Sequence, residues 1–322
     1  MPKALILANV GTPDAPTIRA VRKYLREFLS DPAIIHAPAF VRWFLANVLI
    51  APLHAHASAE KYRHVWLPAG SPLLVNSNKF AAALQTELGA DWVVTPAMRY
   101  GEPSFGHVLG ALQQTQQVDE FVLAPLFPQP APATTDSAIQ HFFQTLKTLG
   151  WSGPHRVLPA FATEPDFIAS LAAFAAETTH GFQPDHWLFS FHGLPESHLK
   201  ISNCHYREDC QATAGALAAQ LKLPPERWSL AFQSRFGPVK WIGPHTADVL
   251  RELPARGVRR LAVVAPSFVA DCLETLEELA IRGRKVFLAA GGINFCFVPC
   301  LNTQTAWVKG FAAFICAALR DG

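Results

Sequence analysis

Short apolar runs alternate along the chain with longer stretches in which apolar positions recur every three to four residues. Eight runs read as strands: Ala4–Asn9, Trp92–Pro96, Glu120–Pro125, Arg156–Pro159, His186–Phe191, Ser229–Gln233, Arg260–Ala265 and Lys285–Leu288. Most are rich in Val, Leu, Phe and Ala and show little alternation, which is the pattern of a strand covered on both faces of a parallel sheet. Helical periodicity marks Thr17–Leu29, Phe105–Gln116, Thr134–Leu149, Pro165–Thr179, Cys210–Leu221, His245–Leu253, Val269–Ile281 and Thr305–Leu319. A strand followed by a helix, many times over, predicts βαβ units and an α/β fold with parallel sheets. Gly150-Trp151-Ser152-Gly153-Pro154 reads as a boundary, so the expectation is two doubly wound lobes, 1–150 and 151–322. Both lobes follow a buried strand with a Gly-, Pro- or polar-rich loop, without a residue-by-residue repeat. Ligands of such sheets sit beyond the carboxyl ends of the strands, so the chemistry is sought in those loops.

Composition narrows the picture. Half of the 322 residues are hydrophobic and only 16% are charged, which excludes a disordered tail and supports a sizeable core. A net charge of +2 gives no broad basic field, so no nucleic-acid partner is expected. Six scattered cysteines in so long a chain do not make a disulfide scaffold. The opening Met1-Pro2-Lys3 and its short apolar run read as a buried first strand rather than a signal peptide. The expected compartment is the cytoplasm. Residues 37–53, APAFVRWFLANVLIAPL, are broken by Arg42 and Asn47 and fall short of the ~20 apolar residues that span a bilayer. Three readings stay open for them: a core helix, the lip of an apolar pocket, or an interfacial membrane contact.

Four loops carry candidate chemistry. Asn9-Val10-Gly11-Thr12-Pro13-Asp14 follows the first strand and lacks any nucleotide-binding glycine fingerprint. Gly11 and Pro13 read as a tight turn that presents Asn9 and Val10. The run Trp187–Phe191 leads into His192-Gly193-Leu194-Pro195, placing a histidine at a strand end as a base, a ligand or a hydrogen-bonded structural group. Gln233, Ser234 and Arg235 end another strand, and Trp241 downstream can stack on a planar ligand or join the core. In the fourth segment Asp271, Glu274 and Glu278 have the i, i+3, i+7 spacing of one helix face. That face is either solvated, as acidic first turns often are, or a carboxylate row that binds a divalent cation or relays protons.

Several motifs, in order and at compatible spacing, make the chain similar to ferrochelatases. They are N-V-G-T-P-D at 9–14, F-L-S-D-P at 28–32, G-S-P-L at 70–73, M-R-Y-G at 98–101, F-H-G-L-P at 191–195, F-Q-S-R-F-G-P at 232–238, D-C-L-E-T-L-E-E at 271–278 and P-C-L-N at 299–302. The resemblance implies two Rossmann-like lobes around a porphyrin cleft and an enzyme that inserts Fe2+ into protoporphyrin IX to form protohaem. It implies His192 and Glu274 as the catalytic and metal-contacting pair, with Glu278 and Asp271 along a proton or metal path. It places Asn9, Val10, Arg99, Tyr100, Ser234, Trp241 and Phe268 near the porphyrin, and makes residues 33–60 a cleft lip that in some members touches the membrane.

The chain also departs from the family pattern. Phe127-Pro128-Gln129-Pro130-Ala131-Pro132 replaces a Tyr- and Ser-bearing segment, and Leu53-His54-Ala55-His56 stands where basic residues often follow the lip. Ile281 and Arg282 replace an acidic continuation beyond Glu278, and Ser202-Asn203-Cys204-His205-Tyr206 replaces Gly-Asp-Pro-Tyr. No resident cofactor is expected. Cys204 with Cys210, and Cys296 with Cys300, are the cysteines a [2Fe–2S] cluster would draw on, and reduced thiols are the expectation. Fe2+ is substrate. The alternatives are a porphyrin carrier without catalysis, or a chelatase for coproporphyrin III or for sirohydrochlorin with cobalt. Monomer and homodimer both stay open.

Overall fold

The computed structural model describes residues 2–115, 118–201 and 204–320. The chain separates into two compact units, one of residues 1–126, 132–159 and 315–322, the other of residues 127–131 and 160–314. Each carries its own four-stranded parallel sheet.

In the first unit β1 (Lys3–Gly11) lies between β2 (Trp92–Tyr100) and β3 (Glu120–Pro125), and β4 (His155–Val157) pairs outside β3. The five residues Ala4 to Ala8 have no exposed surface, as a strand covered on both faces requires. Around the sheet run α1 (Ile18–Leu29), α2 (Ala39–Phe44), α3 (Ala51–Val65), α4 (Pro72–Leu88), α5 (Phe105–Gln114) and α6 (Ser137–Thr148). Local chemistry starts three of them: the hydroxyls of Thr17, Ser71 and Ser104 accept from Ala20, Leu74 and His107 N–H, and Pro72 opens α4 where its missing donor costs nothing. Arg156 and Lys3 close on Glu120 and tie the sheet together. Burial alone raises the Glu120 carboxyl, but these two cations outweigh it and hold it below the usual carboxylate range.

The second unit repeats this plan. Here β5 (His186–His192) lies between β6 (Trp228–Gln233) and β7 (Arg260–Val264), with β8 (Asn294–Phe297) outside β7. Its helices are α7 (Pro165–Thr179), α8 (Tyr206–Gln220), α9 (Thr246–Glu252), α10 (Arg284–Ala289) and α11 (Thr305–Arg320), the last ending in the first unit. A π-helix over Glu274–Gly283 leads directly into α10. The strand orders, β2-β1-β3-β4 and β6-β5-β7-β8, are the same topology. Asn9 and His192 are each the seventh residue of the corresponding strand. The shared grammar of the two halves is therefore a shared fold without shared side chains.

Some sequence expectations are corrected. Lys285–Leu288 is helix, and the strand lies later, at Asn294–Phe297. A four-residue apolar run cannot separate the two forms, and here Phe287 packs fully buried against Leu250, Leu253 and Leu279 while Lys285 faces out. The unit boundary follows residue 159 rather than 150, because β4 pairs with β3 and keeps 151–159 in the first unit. The helix read at Val269–Ile281 starts only at Leu273. Gln116, the expected end of α5, lies outside the described residues. Helices α2 to α4 had no expected counterpart beyond the apolar 37–53 segment.

That segment is helical and its core reading does not hold. Its helix runs through a π stretch, Leu45–Ile50, between α2 and α3. Small side chains, Ala46, Ala51, Ala55 and Ala59, form the buried side. The large ones face outward: Phe40 is 76% exposed, Leu53 67% and Trp43 61%, with Phe44, Val48 and Leu49 also exposed. Among the described residues no helix is long and apolar enough to cross a membrane.

The helical assignment at 284–289 is directly testable. In a strand, Lys285 and Phe287 would share a face; in α10 they do not. Phe287→Ala is expected to lower stability by ~3–5 kcal/mol in urea unfolding, and Lys285→Ala to change it by less than about 0.5 kcal/mol.

Candidate active site

In the first unit the predicted residues cluster at the carboxyl ends of β1 and β2. Asn9 is buried, and its Oδ1 accepts from Val10 N–H at 2.9 Å near the end of the strand. Position 11 needs glycine: its φ is +107°, and a Cβ there would lie 1.8 Å from Tyr100 O. Arg99 and Tyr100 both reach Asp31, which the sequence reading left without a role. Arg99 Nη2 bonds Asp31 Oδ2. The Tyr100 hydroxyl donates to the same oxygen at 2.8 Å and Ser137 Oγ at 2.9 Å, while Arg99 Nε donates to Ser137 at 2.8 Å. Burial alone raises the Asp31 carboxyl. Hydrogen bonds from Ala33 N–H, Tyr100 and Ser137, with the Arg99 charge, outweigh it and hold the carboxyl below the usual range. Tyr100 is itself buried, and burial pushes its hydroxyl up.

In the second unit His192 ends β5, half-buried and opposite Gln233 of β6. Its Nδ1 lies 2.6 Å from Gly193 O. A carbonyl only accepts, so Nδ1–H donates to it, and Nε2 is the ring nitrogen not used in this bond. Its backbone is also held: Tyr206 Oη donates to His192 O at 2.7 Å, and His192 N–H donates to Ser267 Oγ at 3.4 Å. The Phe268 ring lies 6.2 Å from the imidazole. Trp241 packs over Gly193, where a Cβ would approach its ring to 3.2 Å, and its indole N–H donates to Phe236 O. Glycine at 193 thus lets Trp241 sit beside the histidine turn.

Glu274 opens the π-helix. Such segments are rare and cluster at functional sites. Their wider winding brings residues four apart, Glu274 and Glu278, closer to one side than 3.6 residues per turn would. Ser234, held at φ +66°, donates from its N–H and its Oγ to the two oxygens of Glu278, at 2.9 and 2.7 Å. Beyond it, Arg282 bonds Glu277 at 3.2 Å and stands 3.9 Å from Glu278.

The expected Asp271–Glu274–Glu278 face does not form. Asp271 precedes the helix and is buried. It accepts from Asn302 Nδ2 at 2.7 Å, Thr275 Oγ1 at 3.1 Å and Cys300 N–H at 3.2 Å. Asn302, at φ +46°, accepts Asp271 N–H at its Oδ1, and this reciprocal pair holds Asp271 outside the helix. Thr275, Asn302, Tyr206 and Ser267 are site-supporting residues that the sequence reading missed, and Gln233, read there as a strand-end candidate, supports the site as well. Thr275 and Asn302 stood inside quoted motifs, which was the available signal. The Cys210, Cys272 and Cys300 thiols are pushed well up by burial. Among the described residues no three His, Cys, Asp or Glu side chains gather to hold a metal ion; Ser202 and Asn203 lie outside them.

Asp31→Asn removes the charge that Arg99 and Tyr100 share and is expected to cost ~3 kcal/mol at pH 7. The wild-type carboxyl is depressed on folding, so its contribution is present above the unfolded value of about 4 and is lost as pH falls through the folded one. The stability gap between wild type and variant in urea should therefore narrow with acidification over that window.

The ferrochelatase family model matches residues 2–319. The chain is 43% identical over 331 residues to a ferrochelatase of Bdellovibrio bacteriovorus, covering 97% of this chain and 98% of that one. It is 39% identical over 328 residues to a ferrochelatase of Coxiella burnetii, covering 96% and 91%. Among solved structures, the sirohydrochlorin chelatase SirB from Bacillus subtilis subspecies spizizenii, in complex with cobalt, superposes with a TM-score of 0.59 at 10% identity, covering 100% of this chain and 97% of that one. That likeness is one of fold. On the extent of the family match and the identity to these relatives, the chain belongs to the ferrochelatase family.

Proposed function

We propose that the protein inserts Fe2+ into protoporphyrin IX, releasing two protons and forming protohaem, the closing reaction of haem biosynthesis. Besides family membership, one observation carries the reading: His192 stands at a strand end with its Nδ1–H donated to Gly193 O, and its ladder neighbour Gln233 bonds the first residue of the carboxylate-bearing π-helix. Free-base porphyrin holds two pyrrole N–H protons that Fe2+ must replace. His192 Nε2 accepts one, and the Glu274 carboxylate, an exchangeable oxygen ligand for a divalent ion, serves metal delivery or takes the second. Iron enters and leaves as Fe2+, so the exchange is redox-neutral and the proposal includes no resident redox cofactor.

The reaction also needs the macrocycle puckered so that its nitrogen lone pairs become accessible. Trp241 and Phe268, the two rings flanking His192, supply rigid planar surfaces that can favour such a form. Asn9, Val10, Arg99, Tyr100 and Ser234 complete the proposed porphyrin contacts. Of these, Arg99 and Tyr100 are anchored on Asp31, so they act as a fixed surface rather than as mobile arms. The exposed row Phe40, Trp43, Phe44, Val48, Leu49 and Leu53 supports peripheral contact of a cytoplasmic protein with a membrane, a route suited to an apolar substrate.

Anaerobic mixing of the protein with protoporphyrin IX and Fe2+, or Zn2+ in its place, should convert the four-band free-base spectrum to the two-band metalloporphyrin spectrum faster than a protein-free control. Porphyrin bound without conversion would indicate a carrier instead. His192→Ala should lower the insertion rate by about 10²-fold or more while porphyrin affinity, read by fluorescence quenching, changes little. Insertion by this variant at the wild-type rate would remove His192 from the mechanism.

A further inference from the structure

Gln233 is 2% exposed, so every polar atom of its side chain needs a partner within the protein. Its Nε2 donates to the backbone carbonyl of Glu274 at 3.1 Å. Because that carbonyl only accepts, the amide orientation is determined: Nε2 faces the π-helix and Oε1 faces the other way. Oε1 accepts from Ser190 Oγ at 2.9 Å. Ser190 has one hydroxyl proton and gives it to Gln233, so its 2.8 Å contact with Thr246 Oγ1 has Thr246 as donor. Thr246, Ser190 and Gln233 are all buried. Together they form a directed chain, hydroxyl to hydroxyl to amide, that ends on the first residue of the π-helix.

The same residue also holds the histidine. Gln233 is the β-ladder neighbour of His192, and its carbonyl accepts from Gly193 N–H at 2.8 Å. One residue later, Ser234 grips Glu278 through its N–H and its Oγ. The backbone of Gln233 thus locates the His192 turn, while its side chain locates Glu274. We infer that Gln233 is a positioning residue that sets Glu274 relative to His192. Its amide joins two elements, the end of the sheet and the start of the π-helix, whose separation the reaction depends on. The inference rests on the proposed role of Glu274.

Gln233→Met keeps the length and approximate volume of the side chain and removes both hydrogen bonds. The test is single-turnover Zn2+ insertion into protoporphyrin IX by the full chain, with folding checked by thermal unfolding. Gln233→Met should slow insertion by about tenfold and raise the KM for Zn2+, with porphyrin affinity within about twofold of wild type. In a Glu274→Gln background the same change should add less than about twofold, because the group being positioned has already been altered. Equal losses in both backgrounds, or a folded Gln233→Met protein at the wild-type rate, overturn the inference and leave the role of Glu274 standing. Glu274→Gln inserting zinc at the wild-type rate overturns that role, and the inference with it. Should Gln233→Met fail to fold, Ser190→Ala carries the test, since it leaves the amide in place but unsteered. A loss of about threefold that vanishes in the Glu274→Gln background supports the inference, and no loss or an additive loss overturns it.

Discussion

Where a buried parallel strand ends, the backbone ladder ends with it, and the polar groups just past the last pair must find other partners. Much of what distinguishes this protein is an answer to that constraint. Near the end of β1, two residues before its last ladder pair, Asn9 folds its amide oxygen onto Val10 N–H. At the end of β5, His192 turns Nδ1 onto Gly193 O, and Tyr206 and Ser267 take up its backbone carbonyl and N–H. At the end of β6, Gln233 reaches across to a π-helix. Groups that must be satisfied for the sheet to be stable are thus the groups that fix the candidate chemistry, so stability and geometry at the site are not separable.

The two units solve the same topological problem with different side chains. Asn9 and His192 occupy matching places in sheets of the same order, yet only the histidine carries a basic ring nitrogen. The first unit gathers charge around one buried carboxylate, Asp31, and spends it on rigidity: Arg99, Tyr100 and Ser137 all bond the same oxygen. The second unit places His192 at a strand end and sets carboxylates along a helix. A shared frame therefore carries two different sets of side chains at its strand ends. The π-helix belongs to the second unit, and it carries Glu274 and Glu278 four residues apart.

The strands were largely legible because burial on both faces leaves a plain signal, a run of apolar residues between turns. Ala4–Ala8, Glu120–Pro125 and His186–Phe191 all form strand as read. The helix over 284–289 was not legible, since a short apolar run such as Val286–Leu288 suits a buried strand or a helical turn alike, and only the packing of Phe287 within the core cluster decides. Position 271 failed for a different reason. Its spacing to Glu274 and Glu278 is correct for a helix, but Asn302, 31 residues away in sequence, offers both a donor and an acceptor and draws Asp271 out of it.

The sequence by itself determined the fold class, the family and the identity of His192 and Glu274 as candidates, because these rest on local runs and on motifs whose residues are adjacent in the chain. Tertiary structure alone decided which side chains hold which. That Asp31 anchors Arg99 and Tyr100, that Ser234 grips Glu278, and that Gln233 joins the histidine strand to the π-helix are pairings across 41 to 69 positions. No periodicity encodes such pairs. They exist because burial takes water away from polar groups and makes each one find its partner among whatever the fold has brought within hydrogen-bonding distance.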